Sequence, residues 1–159
     1  MTTCYIAFGS NLGDRNKNIK LAIKYLGLDP AIKILKLSSF IETEPEAGPP
    51  QPKFINGVVK IETGYSAREL LKKLQEIEVK LGRKAAHPKN HPRTIDLDIL
   101  FYGNQKIDEK GLKIPHPRMH KRDFVMGPLK EIAPEIIKNG NYFRYKTDAE
   151  LVKKDAPEE

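Results

Sequence analysis

Phe54-Ile-Asn-Gly-Val-Val-Lys-Ile-Glu-Thr63, followed at once by Gly64-Tyr-Ser-Ala-Arg-Glu69, is the stretch whose reading decides the fold. The first ten residues are apolar and β-branched enough to read as a strand. Ser66 then opens a helix, and Glu69 three residues on completes a capping box. Leu70, Leu74, Ile77 and Leu81, with Leu71 beside them, form one apolar stripe. Gly82 closes the helix. Working upstream, the same pair of elements occurs once before. Thr3 to Phe8 is a nearly continuous apolar strand, Gly9 to Gly13 a turn, and Asp14 an N-cap. Ile19, Ala22, Ile23 and Leu26 make one helix face, ended by Gly27 with Pro30 beyond. Ile32 to Glu42 reads as a strand between the two units, and Thr94 to Tyr102 as a strand after the second.

That order, β-α-β-β-α-β, predicts an α+β, ferredoxin-like sandwich: an antiparallel sheet with both helices packed on one face. The C-terminal additions are an extended Ile114-Pro-His-Pro117, a short helix around Pro128 to Ile132, and a frayed tail from Lys153 to Glu159. A chain of 159 residues reads as one domain, 1–159. No apolar run approaches the roughly 18–20 residues of a membrane helix. The N-terminus reads as a strand, not a signal peptide. Cys4, the only cysteine, excludes an internal disulfide and fits the cytoplasm. It reads as a small buried strand residue, not a nucleophile.

Net charge is +7, which suggests an anionic partner without choosing one. Two segments concentrate it. Arg83 to Arg93 and Lys113 to Arg122 each hold four Lys/Arg, two His and no acid. Between these segments lies Arg93-Thr-Ile-Asp-Leu-Asp98. In a strand, Ile95, Leu97 and Ile99 point one way, and Asp96 and Asp98 the other, about 6.5–7 Å apart. Two carboxylates on one face repel and lose solvation unless something compensates. Mg²⁺ is a natural compensator, since it accepts one or two carboxylates and fills its shell with water and phosphate oxygens. The alternative is a solvated outer face with nothing bound. Arg93 adds a fixed charge suited to phosphate. Gly9 and Gly13 are not followed by Lys-Ser/Thr, so a phosphate loop is absent. The pairs His87/His91 and His116/His120 have a zinc spacing, but Pro88, Pro92 and Pro117 argue against the helix it needs. Two loops are long for so small a domain. They are Thr43 to Lys53, with Pro45, Pro49, Pro50 and Pro52, and Arg83 to Pro92. Both are expected to close over substrates.

Taken together, Tyr5-Ile-Ala-Phe-Gly-Ser-Asn-Leu-Gly13, Ser38-Ser-Phe-Ile-Glu-Thr-Glu-Pro45, Phe54-Ile-Asn56, Glu78 with Gly82-Arg83, Arg93 to Leu100, and Ile114-Pro-His-Pro-Arg-Met119 with Arg122, Phe124 and Pro128-Leu129 resemble the 6-hydroxymethyl-7,8-dihydropterin pyrophosphokinases. The resemblance spans roughly Tyr5 to Pro134. It implies transfer of pyrophosphate from ATP to the pterin hydroxymethyl group, giving AMP, with two Mg²⁺ ions between the aspartates and the ATP phosphates. On the matching positions it implies Asp96 and Asp98 as metal ligands. Arg83, Arg93, His116 and Arg122 would bind ATP, with Lys84 or Lys89 as the stand-in for the charge missing at Ala85 and Lys89 taken as the ATP contact. Thr43, Pro45, Glu46, Phe54, Asn56 and Phe124 would line the pterin pocket, with both phenylalanines stacking on the ring. Arg83, Arg93 and Asp98 would be catalytic. Asp98 is also a candidate to take the hydroxymethyl proton, although a metal-bound carboxylate is a weak base. The partners are then the two small molecules, with no nucleic acid or membrane, acting on a monomer. The chain departs from the family at Ala85, where a second arginine is common, at Asn90, where some members have tryptophan, and at Pro117, where some have tyrosine.

Two other classes compete. A nucleic-acid-binding module would use the same fold and the same charge, but the aromatic strand motif of that class is missing and the aspartates would repel phosphate. A nonenzymatic metal-binding protein would retain metal without ATP.

Overall fold

The computed structural model describes residues 1–45, 48–82, 92–117 and 123–133. Glu46, Arg83, Lys84, Ala85, His87, Lys89, Asn90, His91, His120, Arg122 and the tail from Lys153 lie outside the described residues, as does the side chain of Phe124. The elements are β1 (Thr2–Ser10), α1 (Arg15–Leu28), β2 (Ile32–Leu37), β3 (Ile41–Thr43), β4 (Phe54–Thr63), α2 (Ala67–Lys80), β5 (Asp96–Tyr102), β6 (Ile107–Glu109), β7 (Leu112–Ile114) and α3 (Asp123–Ile132). The main sheet runs β2-β4-β1-β5 with β3 also on β4, and every pairing is antiparallel. β6 and β7 form a separate hairpin.

The expected antiparallel sheet with helices packed on it therefore forms, and alternation explains its faces. Cys4, Ile6 and Phe8 of β1, Val59 and Ile61 of β4, and Leu97 and Ile99 of β5 meet Ile19, Ala22 and Leu26 of α1 and Leu70, Leu74 and Ile77 of α2. Each of the Val, Leu, Ile and Phe side chains contributes on the order of 1.5–3 kcal/mol when fully buried. The capping box at Ser66 and Glu69 is present, and Asp14 accepts from Lys17 N at 3.2 Å. Among the described residues no helix is long and apolar enough to cross a membrane.

The structure corrects several boundaries. The segment Ile32 to Glu42 is two strands. A bulge at Leu35 twists β2, and Ser38 then turns the chain, its hydroxyl accepting from Val58 N at 2.8 Å and donating to Ser39 O at 2.9 Å. β1 continues through Gly9 and Ser10 because both neighbouring strands pair with Gly9. α1 runs past Gly27, where only the Ile34 side chain approaches. β5 starts at Asp96, not Thr94. The C-terminal helix starts at Asp123, five residues before the expected Pro128, and that proline sits inside it.

α3 packs on the opposite face of the sheet. Its Val125, Met126, Leu129 and Ile132 cover Tyr5, Val58, Leu100 and Phe101. Leu100 and Phe101 are adjacent, yet both belong to that face. Tyr5 pairs with Phe101 and Ile6 with Ile99, so Leu100 is the extra residue of a bulge. The bulge reverses the alternation of β5 midway, which a strict period of two cannot foresee.

Candidate active site

Among the described residues, the α3 face is covered over only part of its length. At the other end, β1 presents Ala7 and then Gly9, and a row of paired residues crosses four strands: Ile41, Asn56, Gly9, Asp96. The next row along β1 pairs Ala7 with Asp98. Strands lie about 4.8 Å apart, so Asn56 and Asp96 face each other across bare Gly9 at about 10 Å. The result is a trough with small residues as its floor and Asn56 and the two carboxylates as its walls. Both aspartates are half-buried and share this face, as the alternation requires.

Gly9 is a close approach. A Cβ there would sit 2.6 Å from Asn56 Oδ1 and 3.5 Å from Phe54 Cδ1. Asn56 is 6 % exposed, and its Nδ2 donates to Thr43 Oγ1 at 2.5 Å. Thr43 pairs with Phe54 at the end of β3, and Pro45 follows, half-buried. The structure thus brings Thr43, Phe54 and Asn56 together as the residues implied for the pterin.

Arg93 stands at the head of β5. Its Nη1 donates to Asp96 Oδ2 at 2.8 Å, and its side chain is 15 % exposed. Its Nε and the Thr94 hydroxyl are buried with no hydrogen-bond partner among the described residues. Buried donors of this kind call for an acceptor, and phosphate oxygens would supply one. Asn11 fixes this corner. Fully buried, it accepts from Arg93 N at 2.8 Å through Oδ1, and its own N–H donates to Arg93 O at 3.0 Å. Its Nδ2 donates to Gln51 Oε1 at 2.8 Å and Pro52 O at 3.0 Å. Asn11 therefore joins the proline-rich loop to the approach of the aspartate strand. Sequence reasoning placed it in a turn and missed this role. The available signal was the shrinking series Tyr5, Ala7, Gly9 on one face of β1, which leaves room beside Asn11 for something other than core.

A second space opens along the free edge of β5. It is a cleft of about 290 Å³ between Leu71 of α2, Ile99 of β5 and Leu112 of β7, with Asp98, His116 and Pro117 at its rim. His116 N donates to Leu100 O at 3.2 Å, which holds the Pro-His-Pro segment against β5. Glu78 of α2, 8 % exposed, accepts from Leu97 N at 2.8 Å. A carboxylate thus satisfies the open-edge amide between the two aspartates. Asp98 belongs to both spaces, since it lies on the trough face and at the cleft rim. Leu71, Ile99 and Leu112 were read from sequence only as core or not at all.

Two perturbed acids lie away from the trough. Burial pushes the Cys4 thiol up to about 12, so Cys4 is the inert core residue expected. Asp29 loses solvation, but bonds from Ala31 N, Tyr65 and Lys73 outweigh this and hold it below its ordinary value. Both residues sit toward the sheet end away from Gly9. On the trough face Tyr5 and Phe101 are covered by α3, while Phe54 borders Gly9.

Among the described residues, the half of the sheet face beyond α3 carries no helix, bears a carboxylate pair and meets an apolar cleft at one carboxylate, an arrangement suited to small-molecule chemistry. The family described as 7,8-dihydro-6-hydroxymethylpterin-pyrophosphokinase matches residues 5–134, and the chain belongs to it. It is 42% identical over 134 residues to the 2-amino-4-hydroxy-6-hydroxymethyldihydropteridine pyrophosphokinase of Bacillus subtilis, covering 84% of this chain and 80% of that one. The Haemophilus influenzae protein of the same name is 42% identical over 137 residues, covering 86% and 85%. A folic acid synthesis protein of Pneumocystis carinii is 44% identical over 133 residues, which are 84% of this chain and 18% of that longer one. Among solved structures, an HPPK-DHPS in complex with substrates superposes with TM-score 0.64 at 16% identity, covering 85% of this chain and 42% of that chain. That likeness shows the fold.

Proposed function

We propose that the trough and the cleft hold the two substrates of the family's reaction in folate biosynthesis, transfer of pyrophosphate from ATP to the hydroxymethyl group of 6-hydroxymethyl-7,8-dihydropterin. The observation that carries this is the position of Asp98, shared between a trough walled by Asn56 and a cleft walled by Leu71 and Ile99. The pterin fits the trough. Asn56 offers a donor and an acceptor to its edge, and Phe54 an aromatic face. Adenine fits the apolar cleft, and its triphosphate would then run past His116 and Asp98 toward Arg93.

In the reaction the hydroxymethyl oxygen attacks the β-phosphorus of ATP. The bond from that phosphorus to the α,β-bridging oxygen breaks, AMP leaves, and the hydroxyl proton passes to solvent or to Asp98. Such transfers depend on alignment and charge neutralisation. Arg93 suits the second task, since its Nε has no acceptor among the described residues. Asp96 and Asp98 suit Mg²⁺, because two hard carboxylates on one face leave most of an octahedral shell for water and phosphate. When bound there, Mg²⁺ would neutralise the polyphosphate. Arg83, Lys89, Glu46, Arg122 and Phe124 keep the roles the family resemblance implies.

The strand order β2-β4-β1-β5, with α1 and α2 on one face, supports the ferredoxin-like βαββαβ assignment. Action as a monomer in the cytoplasm belongs to the same reading. AMP release from ATP is the test, and it should require both the pterin and Mg²⁺. Asp96→Ala and Asp98→Ala should each abolish it. AMP formation untouched by either change would remove the site, and none from the wild type would remove the function.

A further inference from the structure

The cleft has two walls that belong to different elements. α2 supplies Leu71, and the β6–β7 hairpin supplies Gly111, Leu112 and Lys113. Arg68 of α2 reaches from one wall to the other. Its Nη2 lies 2.6 Å from Glu109 Oε1, and Nη1 and Nη2 each lie 3.4 Å from Lys110 O. We propose that Arg68 is a positioning residue that, by gripping the hairpin turn, sets the width of the cleft for the nucleotide. This rests on the reading that ATP occupies the cleft.

Three features support it. Arg68 lies one helical turn before Leu71, so the two side chains share a flank of α2. The grip and the apolar wall are therefore carried by the same surface. Next, the stability of α2 gives no reason for an arginine here. Arg68 is in the first turn, where a cation opposes the helix dipole, and the partner side chains are 52% and 61% exposed, so the ion pair adds little to folding. Finally, the hairpin needs an anchor at its turn. Its strands have three residues each and pair only with each other, and a lone hairpin is marginal. Leu112 and Ile114 of β7, and Ile107 of β6, tie the strands to the core. The turn, with Gly111 at φ +77, projects beyond them and is met by the guanidinium. A planar fork that bonds a carboxylate and a carbonyl together fixes a distance more closely than an ammonium would.

The test compares wild type, Arg68→Ala, Glu109→Ala and the charge-swapped Arg68→Glu/Glu109→Arg. For each, kcat, KM for ATP, KM for the pterin, melting temperature and the Kd of a non-hydrolysable ATP analogue are measured. Either single change should raise KM for ATP and the analogue Kd about two- to fivefold, the range of one exposed ion pair. The swap should restore both, with kcat and the pterin KM unchanged throughout. A merely structural pair would lower the melting temperature and leave KM for ATP alone, and that result overturns the proposal. So does a swap that restores nothing. If the analogue binds wild type without protecting the amides of residues 110–114 from exchange, ATP lies elsewhere and the reading beneath the proposal fails first.

Discussion

Gly9 shows how much of the site rests on single atoms. Its missing side chain leaves the space that Asn56 Oδ1 and the Phe54 ring overhang. Gly9→Ala would push Asn56 from its bond to Thr43, with loss of one hydrogen bond, about 0.5–1.5 kcal/mol. KM for the pterin should rise by up to about tenfold while KM for ATP holds, and steady-state kinetics with each substrate varied will show whether the effect divides that way. Cys4 makes the contrasting case. Burial raises its thiol to about 12, so a thiol reagent at neutral pH should modify native protein negligibly and denatured protein fully. Rapid labelling without denaturant would contradict the packing described. Both residues were visible in the sequence. Cys4 was read correctly from its strand, whereas Gly9 was read as a turn because its role depends on two strands that sequence does not place beside it.

At the level of elements, the helices were the easiest to read. Ser66 and Glu69 satisfy each other's backbone at 3.1 Å and 2.8 Å, a contact set by spacing alone. Ser66→Ala should cost about 1 kcal/mol in denaturant unfolding, and an unchanged midpoint would mean that packing of the apolar stripe carries the helix start. The strands were harder. Gly57 lies under the Phe8 ring and 2.9 Å, measured from a built Cβ, from Ser38 Oγ. Gly57→Ala should therefore destabilise by about 1–3 kcal/mol through overpacking, checked by the same unfolding curve. The break at Ser38 and the bulge at Leu100 come from such cross-strand contacts, so neither is encoded in local propensity. Glu131 illustrates the same limit. It accepts from Ser39 N and Oγ, both at 2.9 Å, and so fastens α3 to the chain just before β3.

Across the whole molecule, acid response should follow Asp29. It is held below its ordinary carboxylate value, where its bonds to Ala31 N, Tyr65 and Lys73 outweigh desolvation. A depressed carboxyl contributes stability above its unfolded value, near 3.8, and loses it as pH falls through the lower folded value. Tyr65 is raised by donating to Asp29, so its share is present below its ordinary value near 10 and lost as pH rises through the folded one. Asp29→Asn should thus melt below wild type at pH 7 and converge with it in strong acid. Parallel melting curves from pH 7 down to pH 2 would assign the acid loss to other groups.

The sequence by itself determined the element order, both capped helices, the inert cysteine and the shared face of Asp96 and Asp98. Each of these depends on periodicity or on contacts within a few residues. It also carried enough family motif to identify the family over residues 5–134. Only the tertiary structure decided that α3 covers half of the opposite face and that no other described residue covers the rest. It alone showed that Asn11 binds two loops into one corner, and that the cleft follows the free edge of β5. Those features arise from pairing between residues tens of positions apart, where a bulge or a missing side chain in one strand sets what its neighbour can hold.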